Sequence, residues 1–152
     1  EEGSRVVWNY EVLPNHRPVK HSEMEYSVPF ERAIDCMKDI QALLDKDFRQ
    51  IKWPVEFRAQ GADDVALSPA YGKDVVTISV HQGAEEEEEP YFRACEEIFL
   101  NYGGKPHWGK VNYLTGEQME SLHEGWDLWW ELRNAIDPSK TFLNDYLKSL
   151  SA

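Results

Sequence analysis

Residues 23–48 read EMEYSVPFERAIDCMKDIQALLDKDF, and two periodicities meet inside them. Met24, Tyr26 and Val28 alternate with Glu23, Glu25 and Ser27, the period of two that marks a strand with one wet face. Pro29 ends the alternation. Phe30, Ala33, Ile34, Met37, Ile40, Leu44 and Phe48 then recur every three or four residues, which predicts an amphipathic helix over about 30–48 with Pro29 suited to its start.

The same two periods recur downstream. In PVEFRAQ (54–60), Val55, Phe57 and Ala59 share one face, and Glu56, Arg58 and Gln60 the other. A polar loop with a Ser68-Pro69-Ala70-Tyr71-Gly72 turn leads to VVTISVH (75–81). That strand sends Val76, Ile78 and Val80 inward and Thr77, Ser79 and His81 to the opposite face. The Glu85–Glu89 run repels itself and reads as a solvated loop. Pro90 opens a helix through Tyr91, Cys95, Ile98 and Phe99, and Gly103-Gly104 closes it. Thr115 and Gln118 form a capping-box signal for a short helix. A Trp-rich helix over about 124–135 stops at Asp137-Pro138, and Phe142–Leu150 forms a last turn or short helix. This order predicts an α+β fold, with a mostly antiparallel sheet flanked by helices. Residues 1–20, with two prolines and little periodicity, read as an extended lead-in; 21–152 read as one unit.

Composition narrows the function classes. The chain has 152 residues, 16 Lys+Arg and 28 Asp+Glu, a formal charge of −12. Phosphate backbones need Lys/Arg clusters, so a nucleic-acid partner is not expected. Six Trp, seven Tyr and six Phe are too many aromatics for a disordered acidic tail. No run approaches the ~18 apolar residues of a membrane span, and the compartment stays open. Cys36 and Cys95 read as buried thiols rather than a disulfide framework or zinc site. HExxH, CxxC, GxGxxG, GxxxxGK[ST] and GxSxG are all missing from these residues, so neither a metal motif nor a nucleotide loop or hydrolase elbow is expected. The sequence opens Glu-Glu-Gly-Ser without Met, which suggests a product cut from a longer precursor.

Three constellations could carry chemistry. Glu56 and Arg58, at i and i+2 of one strand, stand side by side as carboxylate and guanidinium; alone, such a pair is commonly an exposed ion pair worth little. His81 shares a face with Thr77 and Ser79 and could serve as a general base, or be a surface histidine leading into the acidic loop. In KPHWGK (105–110), Pro106 and Trp108 stiffen and anchor the segment, so that Lys110 is a cation held in place. The Trp126, Trp129, Trp130 stripe is most simply a packing face, with an interface to another chain as the alternative.

Read together, HSEMEYSVP (21–29), PVEFR (54–58), DDVALSPAYGKD (63–74), ISVHQ (78–82), YFRACEEIF (91–99), GGKPHWGK (103–110) and DPSKTFLNDYL (137–147) resemble the C-terminal part of the sugar-1,4-lactone oxidases. These gulonolactone, arabinonolactone and gluconolactone oxidases are flavoenzymes of the vanillyl-alcohol-oxidase superfamily.

The resemblance implies the substrate (cap) half of a two-domain flavin oxidase. Its E-x-R strand and HWGK lysine face flavin and sugar, which maps to Glu56, Arg58 and Lys110, with Arg58 and Lys110 also toward the cofactor. His81 falls where related alditol oxidases keep a histidine near the substrate, a looser transfer. The implied cofactor is FAD, and the FAD-binding domain lies outside this chain. The implied partners are an N-terminal FAD-binding chain of the same precursor, held non-covalently, a sugar lactone and oxygen. The implied reaction oxidises the C2 carbinol of the lactone and yields hydrogen peroxide. The alternatives are an alditol oxidase, a lactone dehydrogenase reducing cytochrome c, or a stand-alone binding domain that catalyses nothing.

Overall fold

In the computed structural model, residues 6–12 and 19–151 are described. Four antiparallel strands form one open sheet in the order β2-β3-β1-β4: β1 His21–Pro29, β2 Glu56–Gln60, β3 Val75–Gly83 and β4 Lys105–Pro106. The fold is α+β, as the two periodicities predict. The part of the lead-in that is described is not wholly extended, because Asn9–Val12 makes one helical turn, α1.

One sheet face carries the core. Met24, Tyr26 and Val28 of β1 meet Val76, Ile78 and Val80 of β3 across the ladder. Against them pack α2 (Ala33–Asp47) and α3 (Glu89–Asn101), which contribute Ala33, Cys36, Ile40, Tyr91, Phe92, Cys95 and Phe99. The helical stripe on α2 faces the core as read at Ala33, Met37, Ile40, Leu44 and Phe48, and departs from the sequence reading at its start. Phe30 and Ile34 are exposed, whereas Cys36 is buried. The cause is a 3-10 turn over Phe30–Arg32, whose three residues per turn put Phe30 out of phase with the helix that starts at Ala33. From Ala33 the inward positions are then i, i+3 and i+7, which excludes Ile34. The two cysteines are free buried thiols, each pushed up to about 12 chiefly by burial.

Inside this core Tyr26 stacks on Phe99 at 5.0 Å and donates its hydroxyl to the buried Glu96 carboxylate at 2.6 Å. The same Glu96 oxygen accepts the Tyr113 amide at 2.9 Å, so a carboxylate that would be costly to bury alone has two donors. The end of α3 is a Schellman motif: Gly104 N–H donates to Phe99 C=O at 2.8 Å and Gly103 N–H to Leu100 C=O at 2.9 Å. Gly103 sits at φ +75°, and a Cβ on Gly104 would lie 2.8 Å from the Phe99 carbonyl oxygen, so both glycines are required.

A second, smaller core gathers Met119, Trp126 and Leu150 from α4 (Gly116–Leu122), α5 (Trp126–Ile136) and α6 (Asp145–Leu150) around Leu114 of the preceding loop, with Leu100 packing against both cores. The capping box of Thr115 and Gln118 starts α4. Trp126 stacks on Trp108 at 6.1 Å and meets Trp130 edge-on at 5.7 Å, so these two of the Trp stripe form a packing face, while Trp129 lies outside that core beside Leu132, Ile136 and Phe142. Among the described residues no helix is long and apolar enough to cross a membrane.

Candidate active site

The other face of the sheet is polar, and antiparallel register arranges it in rows. Glu56, Ser79 and Glu25 form one row; Arg58, Thr77 and Ser27 form the next, with Lys105 of β4 opposite Ser27. On the other side of the first row, His81 stands opposite Glu23. Directly paired residues project to the same side, so ten or so polar side chains share one surface without any loop having to place them.

Charge pairing runs across these rows. The Arg58 Nη2 donates to Glu25 Oε2 at 2.7 Å, and Ser79 Oγ donates to the same oxygen at 2.7 Å. Arg58 Nε lies 3.7 Å from Glu56 Oε2. Lys110 Nζ donates to Glu23 Oε2, and His81 Nε2 lies 3.6 Å from Glu23 Oε1. Ser27 and Thr77 hydroxyls are 3.0 Å apart. Burial pushes the Glu23 carboxyl up, but the Lys110 hydrogen bond and charge, followed by His81 and His21, outweigh it and hold the group below the usual carboxylate range.

The backbone fixes Lys110. His107 N–H donates to Glu25 C=O at 2.9 Å and Val111 N–H to Glu23 C=O at 3.0 Å, so the segment runs along the open edge of β1. Trp108 donates its indole N–H to Leu67 C=O at 3.1 Å and stacks into the second core, which makes it a protein anchor rather than a ligand contact.

His81 is not the surface residue that the end of a strand suggested; it is 5 % exposed. Its Nδ1 bonds Pro54 C=O at 3.0 Å, and Trp53 and His21 lie against its ring at 6.3 and 5.4 Å. Thr77 and Ser79 are buried as well, because the long side chains of neighbouring rows lie over their short ones. Glu56, Arg58 and Gln60 differ: edge strand β2 is exposed along its whole length.

Four residues of this face were not singled out in the sequence. Glu23 and Glu25 belonged to the wet side of β1, and only the register shows that they receive Lys110 and Arg58. His21 begins the same strand face. Lys105 is buried opposite Ser27, and burial first, then Lys73, lower its pKa against an opposing pull from Glu124. The sequence signal was the HSEMEYS alternation itself, which puts His21, Glu23, Glu25 and Ser27 on one side.

Comparison with known proteins adds the family. A family model described as D-arabinono-1,4-lactone oxidase matches residues 2–150. The chain is 40% identical over 139 residues to an L-gulono-1,4-lactone dehydrogenase of Mycobacterium tuberculosis, covering 91% of this chain and 32% of that protein. It is 31% identical over 134 residues to an L-gulonolactone oxidase of Scyliorhinus torazame, covering 85% and 30%. To an alditol oxidase of a Streptomyces species it is 27% identical over 150 residues, covering 93% and 35%. The chain thus spans about a third of the length of these relatives. An α+β unit whose polar sheet face holds the E-x-R strand and the HWGK lysine, matched almost end to end by that family model, belongs to the D-arabinono-1,4-lactone oxidase family.

Proposed function

We propose that the chain is the substrate half of an FAD-dependent aldonolactone oxidase. It acts with an FAD-binding segment of the same precursor and oxidises the C2 carbinol of a sugar 1,4-lactone, with oxygen as acceptor and hydrogen peroxide as product. The observation that carries this reading is the pair of anchored cations on one sheet face, Arg58 on Glu25 and Lys110 on Glu23. The family name and the relatives' names support the reaction class.

The donor set suits a flavin beside this face. Arg58 keeps more than half of its side chain exposed while one nitrogen is tied to Glu25, so it has donors left to offer a ring that becomes anionic on reduction. Bound flavin supplies the hydride acceptor. The chain's residues do the rest. Arg58 and Lys110 hold substrate oxygens and favour negative charge developing there. Glu56 orients Arg58 and accepts a sugar hydroxyl. His81 takes the C2 hydroxyl proton at Nε2 as the C–H hydride departs and the carbonyl forms. Because Pro54 offers only an acceptor, the His81 proton sits on Nδ1 and leaves the Nε2 lone pair available.

The test is anaerobic mixing of the flavin-loaded protein with sugar 1,4-lactones and, separately, with alditols, following loss of the oxidised flavin band. Bleaching by lactones at rates well above those for alditols is expected. Bleaching by alditols alone favours the alditol oxidase reading, and by neither, the binding domain. A second reading rests on the Mycobacterium relative being named a dehydrogenase: the acceptor is then a protein such as cytochrome c. Peroxide yield per lactone consumed separates the two.

A further inference from the structure

We propose that His21, Glu23 and His81 form a binding site for a divalent transition-metal ion of the Zn²⁺ type. One nitrogen from each histidine and one carboxylate oxygen of Glu23 all lie within 4.8 Å of one another. The sheet itself brings them together, because Glu23 is the register partner of His81 and His21 stands two residues earlier on the same face of β1.

The hydrogen bonds leave the ligating atoms free. His81 Nδ1 meets Pro54 C=O at 3.0 Å and His21 Nδ1 meets Val19 C=O at 3.3 Å. A carbonyl can only accept, so Nδ1 is the donor in both bonds, and on His81 the Nε2 lone pair is left facing Glu23. Histidines that bind metals are held in this way, with the far nitrogen donating to a carbonyl that fixes tautomer and ring direction. Glu23 divides its two oxygens: Oε2 takes Lys110, and Oε1 faces His81 Nε2 at 3.6 Å. Two imidazoles and a carboxylate form a set that suits Zn²⁺, with a fourth position left for water.

The size is right as well. Zn–N and Zn–O bonds of about 2.0–2.1 Å put tetrahedral ligands roughly 3.3 Å apart. The His81–Glu23 separation of 3.6 Å is already close to that, and a His21 nitrogen lies within 4.8 Å of both ligand atoms. Trp53 lies 5.0 Å from the His21 ring and 6.3 Å from His81, an apolar wall on one side. The acidic net charge of −12 favours a cation generally, but one nitrogen from each of two histidines makes the site selective for a borderline-soft ion over Ca²⁺ or Mg²⁺.

Zn²⁺ takes the His81 Nε2 lone pair that the proposed reaction uses, so the occupied site is an inhibited state of that enzyme, and the site itself is tested by binding alone. Metal-stripped protein is titrated with ZnCl₂ by calorimetry, and Co²⁺ is added to a second sample for its visible spectrum. One equivalent of Zn²⁺ and the intense bands of a four-coordinate Co²⁺ site are expected. His21→Ala, at a half-buried position, and the isosteric Glu23→Gln should each weaken Zn²⁺ at least about tenfold. His107→Ala, outside the cluster, should bind as the parent does. A parent that takes up no stoichiometric Zn²⁺, a weak six-coordinate Co²⁺ spectrum, or a His21→Ala protein with parental affinity overturns the site.

Discussion

Arg58 and Glu25 are joined across an intervening strand: the guanidinium on edge strand β2 reaches over Ser79 of β3 to a β1 carboxylate, 2.7 Å from Nη2 to Oε2. The contact fixes where a long, otherwise solvated side chain ends. In the proposed enzyme Arg58→Ala should lower the rate of flavin reduction by about 10²–10³-fold, the scale of one charged donor lost at a developing anion. Stability should fall as well, by about 1.5–3 kcal/mol, because the buried Glu25 carboxylate is left with the Ser79 hydroxyl as its side-chain donor. An unchanged reduction rate would reduce Arg58 to an ordinary ion pair.

The same contact makes Glu25 a positioning residue. Glu25→Gln keeps the shape and removes the charge that holds Arg58, so it should slow turnover less than Arg58→Ala does. Combined with Arg58→Ala it should add almost nothing further. Side chains in one network couple by about 0.5–3 kcal/mol, so the double-mutant cycle on kcat should be visibly non-additive. Additive effects would mean that Arg58 finds its place without Glu25.

Tyr26→Phe tests the buried core. It removes the hydroxyl that Glu96 accepts at 2.6 Å and leaves the carboxylate with the Tyr113 amide. Losing one donor to a buried charge should cost about 1.5–3 kcal/mol in denaturant unfolding, with the slope unchanged. Tyr26→Phe with Glu96→Gln should recover part of it, because a neutral amide is cheaper to leave short of partners.

Gly104→Ala addresses the Schellman turn that delivers the lysine segment. An added methyl meets the Phe99 carbonyl oxygen at 2.8 Å, and backbone cannot step aside as a side chain can. A loss of about 1–3 kcal/mol is expected, and since Lys110 follows on the same rigid segment, the reduction rate should fall too. Retained activity at lowered stability would show that the strap is held by its bonds to β1 instead.

His123 gives a pH dependence. Burial holds its pKa below the ordinary 6.5 against the opposing Met119 hydrogen bond, with Lys105 adding to the lowering. The folded state therefore binds fewer protons than the unfolded chain once pH falls under about 6.5, and stability drops as pH falls from there to the lowered value. The slope cannot exceed about 1.4 kcal/mol per pH unit for one proton. Unfolding of the parent between pH 7 and 5 should be steeper in pH than that of His123→Gln, whose amide can still reach the Met119 carbonyl. Parallel curves would assign the acid sensitivity elsewhere.

Local signals in the sequence determined the elements and their faces. Alternation in EMEYSVP fixed β1 and its wet side, Gly103-Gly104 fixed the end of α3, and Thr115 with Gln118 fixed the start of α4. These succeed because strand pleat, glycine conformations and caps depend on neighbours a few residues apart. Motif matching likewise named Glu56, Arg58, Lys110 and His81 through the family they resemble. What the sequence could not supply was which residue meets which. The pairing of Glu23 with His81 and of Glu25 with Ser79 joins positions 58 and 54 residues apart, and it is set by strand register, which only the assembled sheet decides. Register turned two anonymous wet-face glutamates into the anchors of Lys110 and Arg58. It also turned a histidine read as superficial into a buried one facing a carboxylate, because a central strand is covered by the long side chains of both its neighbours. The α2 stripe faces the core as read at Ala33, Met37, Ile40, Leu44 and Phe48 but not at Phe30 and Ile34, because a 3-10 turn at Phe30–Arg32 puts Phe30 out of phase and packing on the sheet buries Cys36 in place of Ile34.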